Sequence, residues 1–420
     1  MRIVVDAYPN SMRVFPDGAS PRKYCSRHDA CILGLREHPG DGTTRVAHGG
    51  ANAGCIGPPR MVGTAGRGAC ALNGTGRIAV VRALHGLGDM LCAVPALRAL
   101  RRAHPAADIA LIGLPECRWM IERFGRLLDG LLPFPGFPGI PERPFAATAL
   151  ERFVRSVRRA PFDLALQMHG SGRVSNAFTA LLGARAAAGF YDASRQERYG
   201  ARFFPYPERQ AEVHRWLTLT KALGYPSRDD RLEFPMTDED RAALREHGAL
   251  AGLERGSFVC IHPGARDPAR RWPPERFSAV ANVLAGRGFR VVLTGTHAER
   301  PAADGVAAAM KRRALNVAGE TSLGALAALL ERAALLVGND TGVSHLAAAL
   351  RVPSVIVFLR SDPERWAPSD LARHRPIVGR HLARAGRGRL ARMRIARTDM
   401  PEAAEVLEEA TMLLNGVYGG

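Results

Sequence analysis

The stretch Leu336-Val-Gly-Asn339-Asp340-Thr341-Gly342-Val-Ser-His345-Leu-Ala-Ala-Ala349 decides the fold, because an apolar run ends abruptly in residues suited to an anion at a helix start. Ala334 to Val337 reads as a short buried strand. Asn339 and Asp340 are of the types that accept hydrogen bonds from the first amides of a helix, and Gly342 lets a ligand approach the backbone. The residues from Leu346 to Leu350 continue that helix. Its free amides and positive dipole end would face whatever sits above the strand's carboxyl end, and a pyrophosphate suits that place. His345 falls one turn in, on the ligand side. Taken alone, Asp-Thr-Gly is equally compatible with an ordinary capped helix, so the rest of the chain must decide.

Upstream, strands are expected at Phe258–His262 and Arg290–Thr294, with a short one near Leu315, and downstream at Ser354–Phe358. Helices are expected near Pro274–Leu284, Ala298–Lys311 and Ser322–Ala333, and an acidic helix, Pro401–Leu414, closes the chain. A first series of the same kind starts sharply at Arg77. It runs as a strand Ile78–Arg82, a helix Gly88–Ala103, a strand Ile109–Gly113, a helix near Glu116–Phe124 and a strand near Leu127–Leu132, with further alternation through Phe162–Met168 and Val174–Leu182. Strands and helices alternating at this spacing mean βαβ units and parallel sheets. The fold class is therefore α/β, with two doubly wound Rossmann-like domains over residues 77–240 and 241–420, residues 208–256 bridging them. Ligands are expected beyond the carboxyl ends of the strands. Residues 1–76, rich in Gly, Pro, Arg and Ser without a sustained period, read as a low-complexity disordered extension.

At 420 residues and 46% apolar content the chain has room for two sizeable cores. Its net charge of +18, from 58 Lys+Arg against 40 Asp+Glu, favours anionic partners. Only Lys23, Lys221 and Lys311 are lysine, so much of the arginine excess is a composition bias. With 6% aromatics and no basic cluster interleaved with them, a nucleic-acid platform is not expected. No run of 18 or more apolar residues and no leader-like start is seen, and seven cysteines form no Cys-x-x-Cys pair, so a reducing cytoplasm is expected. Cys25, His28, Cys31 and Cys55 are of zinc-ligand types, but their spacing matches no common zinc module, and no metal site is expected.

Two further constellations carry chemistry. In Ala83-Leu-His-Gly86-Leu-Gly88-Asp89, an abrupt Gly-rich turn sets Asp89 at a helix N-terminus, where it is either a cap or a cleft-edge carboxylate. A dinucleotide fingerprint fails because position 91 is Leu, and a phosphate-loop hydrolase fails because no lysine follows a glycine. In His262-Pro-Gly264-Ala265-Arg266-Asp267-Pro-Ala-Arg270-Arg271-Trp272-Pro273, a small loop with three arginines can wrap a phosphate, with Trp272 as a packing anchor. Glu299 ends the next strand, where it is a candidate for ribose hydroxyls or a plain helix-start acid.

Taken together, Leu87-Gly88-Asp89 with Pro95 and Leu97, His262-Pro-Gly with Arg-Trp-Pro, and Asp340-Thr-Gly-Val-Ser-His345 resemble glycosyltransferase family 9, the ADP-heptose:lipopolysaccharide heptosyltransferases and their relatives. The likeness runs from about Arg77 to the C-terminus. It implies a GT-B fold of two facing Rossmann-like domains, the N-terminal one binding the acceptor and the C-terminal one the nucleotide sugar. It also implies transfer with inversion and no obligatory metal or cofactor, ADP-heptose being the expected donor. Asp89 would be the general base. Gly264, Arg270, Arg271, Asp340, Thr341, Gly342 and His345 would hold the donor phosphates. Acceptor candidates are His169 and Arg173, near Arg195, Arg198 and Arg202. The family commonly has Lys where this chain has Arg270, which keeps the charge but turns a point-like ammonium into a planar fork. The expected acceptor is an anionic glycolipid of the lipopolysaccharide core, with peripheral contact at the cytoplasmic face of the inner membrane and no nucleic-acid partner. A relative acting on a protein or another glycan, and a catalytically weak sugar-nucleotide or lipid-phosphate binding protein, are the alternatives.

Overall fold

The computed structural model describes residues 2–5, 12–15, 76–194, 200, 202–385 and 388–418. At the start of the chain, β1 (Arg2–Val5) pairs antiparallel with β2 (Met12–Phe15), Arg2 opposite Phe15. Cys25, His28, Cys31 and Cys55, and Arg195 and Arg198, lie outside the described residues.

From Arg77 the chain builds two parallel sheets. The first contains β3 (Arg77–Val81), β4 (Asp108–Gly113), β5 (Gly130–Pro133), β6 (Leu164–Gln167), β7 (Ala186–Tyr191) and β8 (Phe203–Pro205), ordered β5-β4-β3-β6-β7-β8. Its helices are α1 (Leu87–Ala103), α2 (Arg118–Arg123), α3 (Ala147–Arg159) and α4 (Ser175–Leu181). The bridge carries α5 (Glu212–Ala222) and α6 (Asp238–Glu246). The second sheet contains β9 (Phe258–His262), β10 (Arg290–Leu293), β11 (Leu315–Asn316), β12 (Leu335–Asn339), β13 (Ser354–Phe358), β14 (His374–Val378) and β15 (Arg394–Ile395), ordered β11-β10-β9-β12-β13-β14-β15. Around it pack α7 (Pro274–Gly286), α8 (Arg300–Ala309), α9 (Leu323–Arg332), α10 (Gly342–Ala349), the short α11 (Pro363–Trp366) and α12 (Ala403–Tyr418). This is the GT-B architecture.

The strand order explains where chemistry can sit. In the first sheet the order reverses between β3 and β6, and in the second between β9 and β12. A crevice opens at each reversal beyond the strands' carboxyl ends, because the following helices leave on opposite faces. The central strands are buried on both faces, as Val259, Ile261, Val337 and Val355 on one face and Cys260, Leu336 and Ile356 on the other show, so they read as continuous apolar runs rather than alternating ones. Among the described residues no helix is long and apolar enough to cross a membrane.

Both bridge helices join the halves. Helix α5 packs on α1, and α6 packs on α9. At the start of α6, Thr237 Oγ1 accepts from the Asp240 amide while Asp240 Oδ2 accepts from the Thr237 amide, closing a capping box. The Asp240 carboxylate also takes a bidentate pair from Arg123 of α2, at 2.6 and 2.8 Å. Gly324 of α9 makes room for it, since a Cβ there would lie 1.7 Å from Asp240 Oδ1. Replacing Asp240 by Ala is expected to cost about 3 kcal/mol, because it strands the Arg123 guanidinium in a site that is almost dry, and a denaturant midpoint reads the loss. Arg123 first, then the Thr237 amide, hold the Asp240 carboxyl below its ordinary range despite burial. Its stabilisation is therefore full above the unfolded value, roughly pH 4, and fades as pH falls through the lower folded value. Wild type and variant should converge only in acid.

Candidate active site

Strands β9 and β12 end together at the C-terminal crevice, His262 opposite Gly338 and Asn339 one residue further along β12. The buried Asn339 carboxamide fixes the loop after β9: Oδ1 accepts from the Trp272 amide at 2.9 Å, and Nδ2 donates to the carbonyls of Pro263 (2.9 Å) and Gly264 (3.3 Å). Trp272 is the expected anchor, fully buried with its indole N–H on the Pro401 carbonyl at 2.8 Å. Asn339 and Asp340 were expected to cap α10, and neither does. The N-cap is Thr341, with no side-chain cap. Asn339 is occupied by the loop, and the buried Asp340 carboxylate takes the Ser361 hydroxyl at 2.5 Å and Arg270 Nη2 at 3.5 Å. Arg270 Nη2 also donates to the Asp340 carbonyl. The first turn of α10 is left without side-chain caps, and Thr341 Oγ1 is buried without a hydrogen-bond partner among the described residues. Such a turn fits an anionic ligand.

The wall opposite comes from Glu299. Its Oε2 accepts from the Thr296 amide and hydroxyl, both at 2.9 Å, and lies 3.8 Å from His262 Nε2. Burial holds the His262 ring neutral in spite of that carboxylate. Gly264 stands directly behind Glu299, where a Cβ would come within 2.5 Å of the carboxyl carbon. Arg271 donates Nε to the Ala265 carbonyl at 2.8 Å.

In the N-terminal crevice, Arg82 follows β3 and the glycine turn leads into α1, whose N-cap Gly86 makes no side-chain bond. A Cβ at Gly86 would fall 2.0 Å from Asp89 Oδ2, so glycine leaves the carboxylate its place over the turn. Burial raises the Asp89 carboxyl above its ordinary range, helped by Glu212 and opposed by Arg82, His345 and Arg365. His169 comes to the same turn, its Nδ1 accepting from the Ala83 amide at 3.3 Å, and burial lowers its pKa to about 4, so it is neutral. Arg173 instead pairs with Asp192 at 3.3 Å.

The two crevices meet where the first turns of α1 and α10 touch. A Cβ at Gly88 would lie 2.4 Å from His345 Cδ2, and one at Gly342 would lie 2.9 Å from Leu87 Cβ. His345 Nδ1 is 3.6 Å from Cys92 Sγ of α1, and its ring takes Trp366 edge-on at 5.9 Å. The resulting cleft, about 690 Å³, is lined by Asp89, Arg270, Arg271, Glu299, Asp340, Thr341, Gly342 and His345 together. Gly264, His169 and Arg173 are not on its lining. Among the described residues no cluster of metal-ligating side chains is present.

A sequence model described as glycosyltransferase family 9 (heptosyltransferase) matches residues 150–384. The chain belongs to this family. It is 26% identical over 252 residues to a lipooligosaccharide heptosyltransferase 2 of Haemophilus ducreyi, covering 56% of this chain and 70% of that one. A family 9 glycosyl transferase of Veillonella parvula superposes with a TM-score of 0.68 at 22% identity, over 82% of this chain and 99% of that one. The E. coli ADP-heptose lipopolysaccharide heptosyltransferase II gives a TM-score of 0.62 at 22% identity, over 81% and 99%. The protein is thus a glycosyltransferase, and the last two likenesses concern its fold.

Sequence reading of the glycosyltransferase missed a buried charge cluster behind Asp89. Arg82, one residue beyond β3, donates Nη2 to the Asp89 carbonyl and Nη1 to the Met168 carbonyl, each at 2.5 Å, and lies over the Trp216 ring. Glu212 of α5 faces it at 3.7 Å. The only local signal was an arginine at a strand's carboxyl end. For the α1–α10 contact, Gly88→Ala is expected to destabilise the enzyme by about 1–3 kcal/mol, because His345 cannot move without losing Cys92 and Trp366. Adding His345→Ala should recover part of the melting temperature, and strictly additive losses would show that the two residues do not compete for one space.

Proposed function

We propose that this glycosyltransferase moves a heptose from ADP-heptose to a hydroxyl of a lipopolysaccharide-core acceptor, with inversion at the anomeric carbon. The observation that carries the reading is that Asp89 and the uncapped first turn of α10 line one cleft from opposite halves. A hydroxyl attacking an anomeric carbon must lose its proton as the new C–O bond forms, and a half-buried carboxylate with a raised pKa is a competent acceptor for it. The diphosphate leaves on the far side of the sugar, and its growing charge falls to the Thr341 and Gly342 amides, Arg270, Arg271 and His345. Fixed dipoles and guanidiniums on that side supply the positive charge the leaving group needs, so no obligatory metal or cofactor enters the reading. Glu299 is assigned to the ribose, and His169 and Arg173 to the approach of the acceptor.

The names of the H. ducreyi and E. coli proteins support the sugar and the acceptor class. The +18 charge suits an anionic glycolipid and peripheral contact with an anionic membrane face rather than nucleic acid. Nucleotide release measured across ADP-, GDP- and UDP-sugars, with a heptose-free lipopolysaccharide core as acceptor, should show turnover with ADP-heptose alone. Release from another nucleotide sugar would overturn the donor.

Asp89→Ala should lower turnover by roughly 10²- to 10⁴-fold, as for loss of a positioned general base, with ADP affinity by calorimetry unchanged. In the wild type, kcat/KM should fall in acid through a pKa above the ordinary carboxylate range, since the base works only when deprotonated. Asp340→Ala or His345→Ala should instead weaken ADP binding. Wild-type affinity and turnover in both would remove the α10 turn from the mechanism.

A further inference from the structure

Three guanidiniums converge on one carboxylate behind the cleft. Glu212 Oε2 takes Nη1 of Arg215 and Nε of Arg365, the latter at 2.9 Å, while Oε1 takes the Trp216 indole N–H at 2.9 Å and faces Arg82 Nη2 at 3.7 Å. Arg82, Arg215 and Glu212 are each no more than 2% exposed. A charge so far from water is costly unless paired, and Glu212 is the carboxylate that compensates the buried Arg82 guanidinium. Arg82 in turn is bonded to the carbonyl of Asp89 itself. Arg365 arrives from the other half of the molecule and lies over the Trp366 ring at 4.6 Å, and Trp366 packs against His345.

We propose that Glu212 is a positioning residue for Asp89, gathering Arg82 from the first half and Arg365 from the second so that the base is set when the two halves are together. This rests on the reading of Asp89 as the general base. Glu212 touches no reacting atom: it acts through Arg82, whose two carbonyl bonds tie the first turn of α1 to the end of β6. Although burial would raise it, the Glu212 carboxyl is held below its ordinary range by Arg82, Arg365 and Arg215, so it is an anion at neutral pH. The charged and titratable groups around Asp89 are Arg82 after β3, Glu212 on α5, His345 and Asp340 at α10, Arg365 on α11 and the buried Cys92 thiol on α1. Within this set Glu212 raises the Asp89 pKa and Arg365 lowers it, so neutralising one or the other must move the base in opposite directions.

The test compares Glu212→Gln, which keeps the shape and an acceptor for Trp216, with Arg365→Gln, whose parent side chain is 35% exposed. The Asp89 carboxyl is titrated by carbon-13 NMR, assigned by its loss in Asp89→Asn, alongside the pH profile of ADP release from ADP-heptose with the heptose-free core. The expected result is a lower midpoint and a more acidic rate limb in Glu212→Gln, a higher midpoint and limb in Arg365→Gln, and a fall in kcat of about 10- to 100-fold in Glu212→Gln with donor KM little changed. Midpoints unmoved in both variants would overturn the proposal. Should Glu212→Gln fail to fold, an unmoved midpoint in Arg365→Gln overturns it alone. A rate limb that persists in Asp89→Asn would overturn Asp89 as the base, whereas a limb abolished by Asp89→Asn yet unmoved by Glu212→Gln would overturn only the positioning role.

Discussion

The contact between the first turns of α1 and α10 is the constraint from which the rest of the structure follows. Each helix presents the positive end of its dipole there, and two such ends repel unless negative charge lies between them. The chain answers with glycine at the points of closest approach, Gly88 against His345 and Gly342 against Leu87, and with Asp89 and Asp340 on the two turns. Any side chain at either glycine would push the two turns apart.

The bridge keeps that contact in register by a crossed arrangement. Helix α5 packs on α1 but sends Glu212 to Arg365 of the second half, while α6 packs on α9 but sends Asp240 to Arg123 of the first. Each helix is thus held by apolar burial on one side and by a buried or nearly buried ion pair on the other. Apolar packing tolerates small sliding, whereas a directional charged hydrogen bond does so less, the bidentate Arg123–Asp240 pair least of all, so the pairs restrict an angle between halves that packing alone would leave loose.

Much of this was legible in the chain and some was not. β9 and β13 fall at the bounds expected from their apolar runs, because strands buried on both faces carry no competing polar signal. β14 was missed because His374-Arg-Pro376 reads as a loop; the proline is tolerated since β15 pairs only with Ile377 and Val378, leaving no ladder bond for Pro376 to make on that side. α3 was missed because only Leu150, Val154 and Val157 are buried, a thin stripe among arginines. The three glycine-bearing turns of the site were readable because each pairs a strand end with backbone freedom. Glu212 and Arg365 were not, since they stand 153 residues apart on a bridge and a four-residue helix with no local pattern. Asn339 and Asp340 misled for a related reason: a cap is a local property, and tertiary bonds to Trp272, Ser361 and Arg270 claimed both side chains.

Trp366 has a consequence of a different kind. Its indole lies edge-on to His345, beneath Arg365, and on the lining of both the cleft and a second cavity of about 580 Å³ behind it. The enzyme has only four tryptophans, and among the others Trp216 and Trp272 are sealed in the two cores. Emission from an indole on the lining of a solvent-filled cleft, beneath a guanidinium and beside an imidazole, responds to changes in that cleft more directly than emission from a sealed one. On the function proposed above, a nucleotide entering that cleft would change the emission of Trp366, and the fold would carry an optical reporter of its own, without any label.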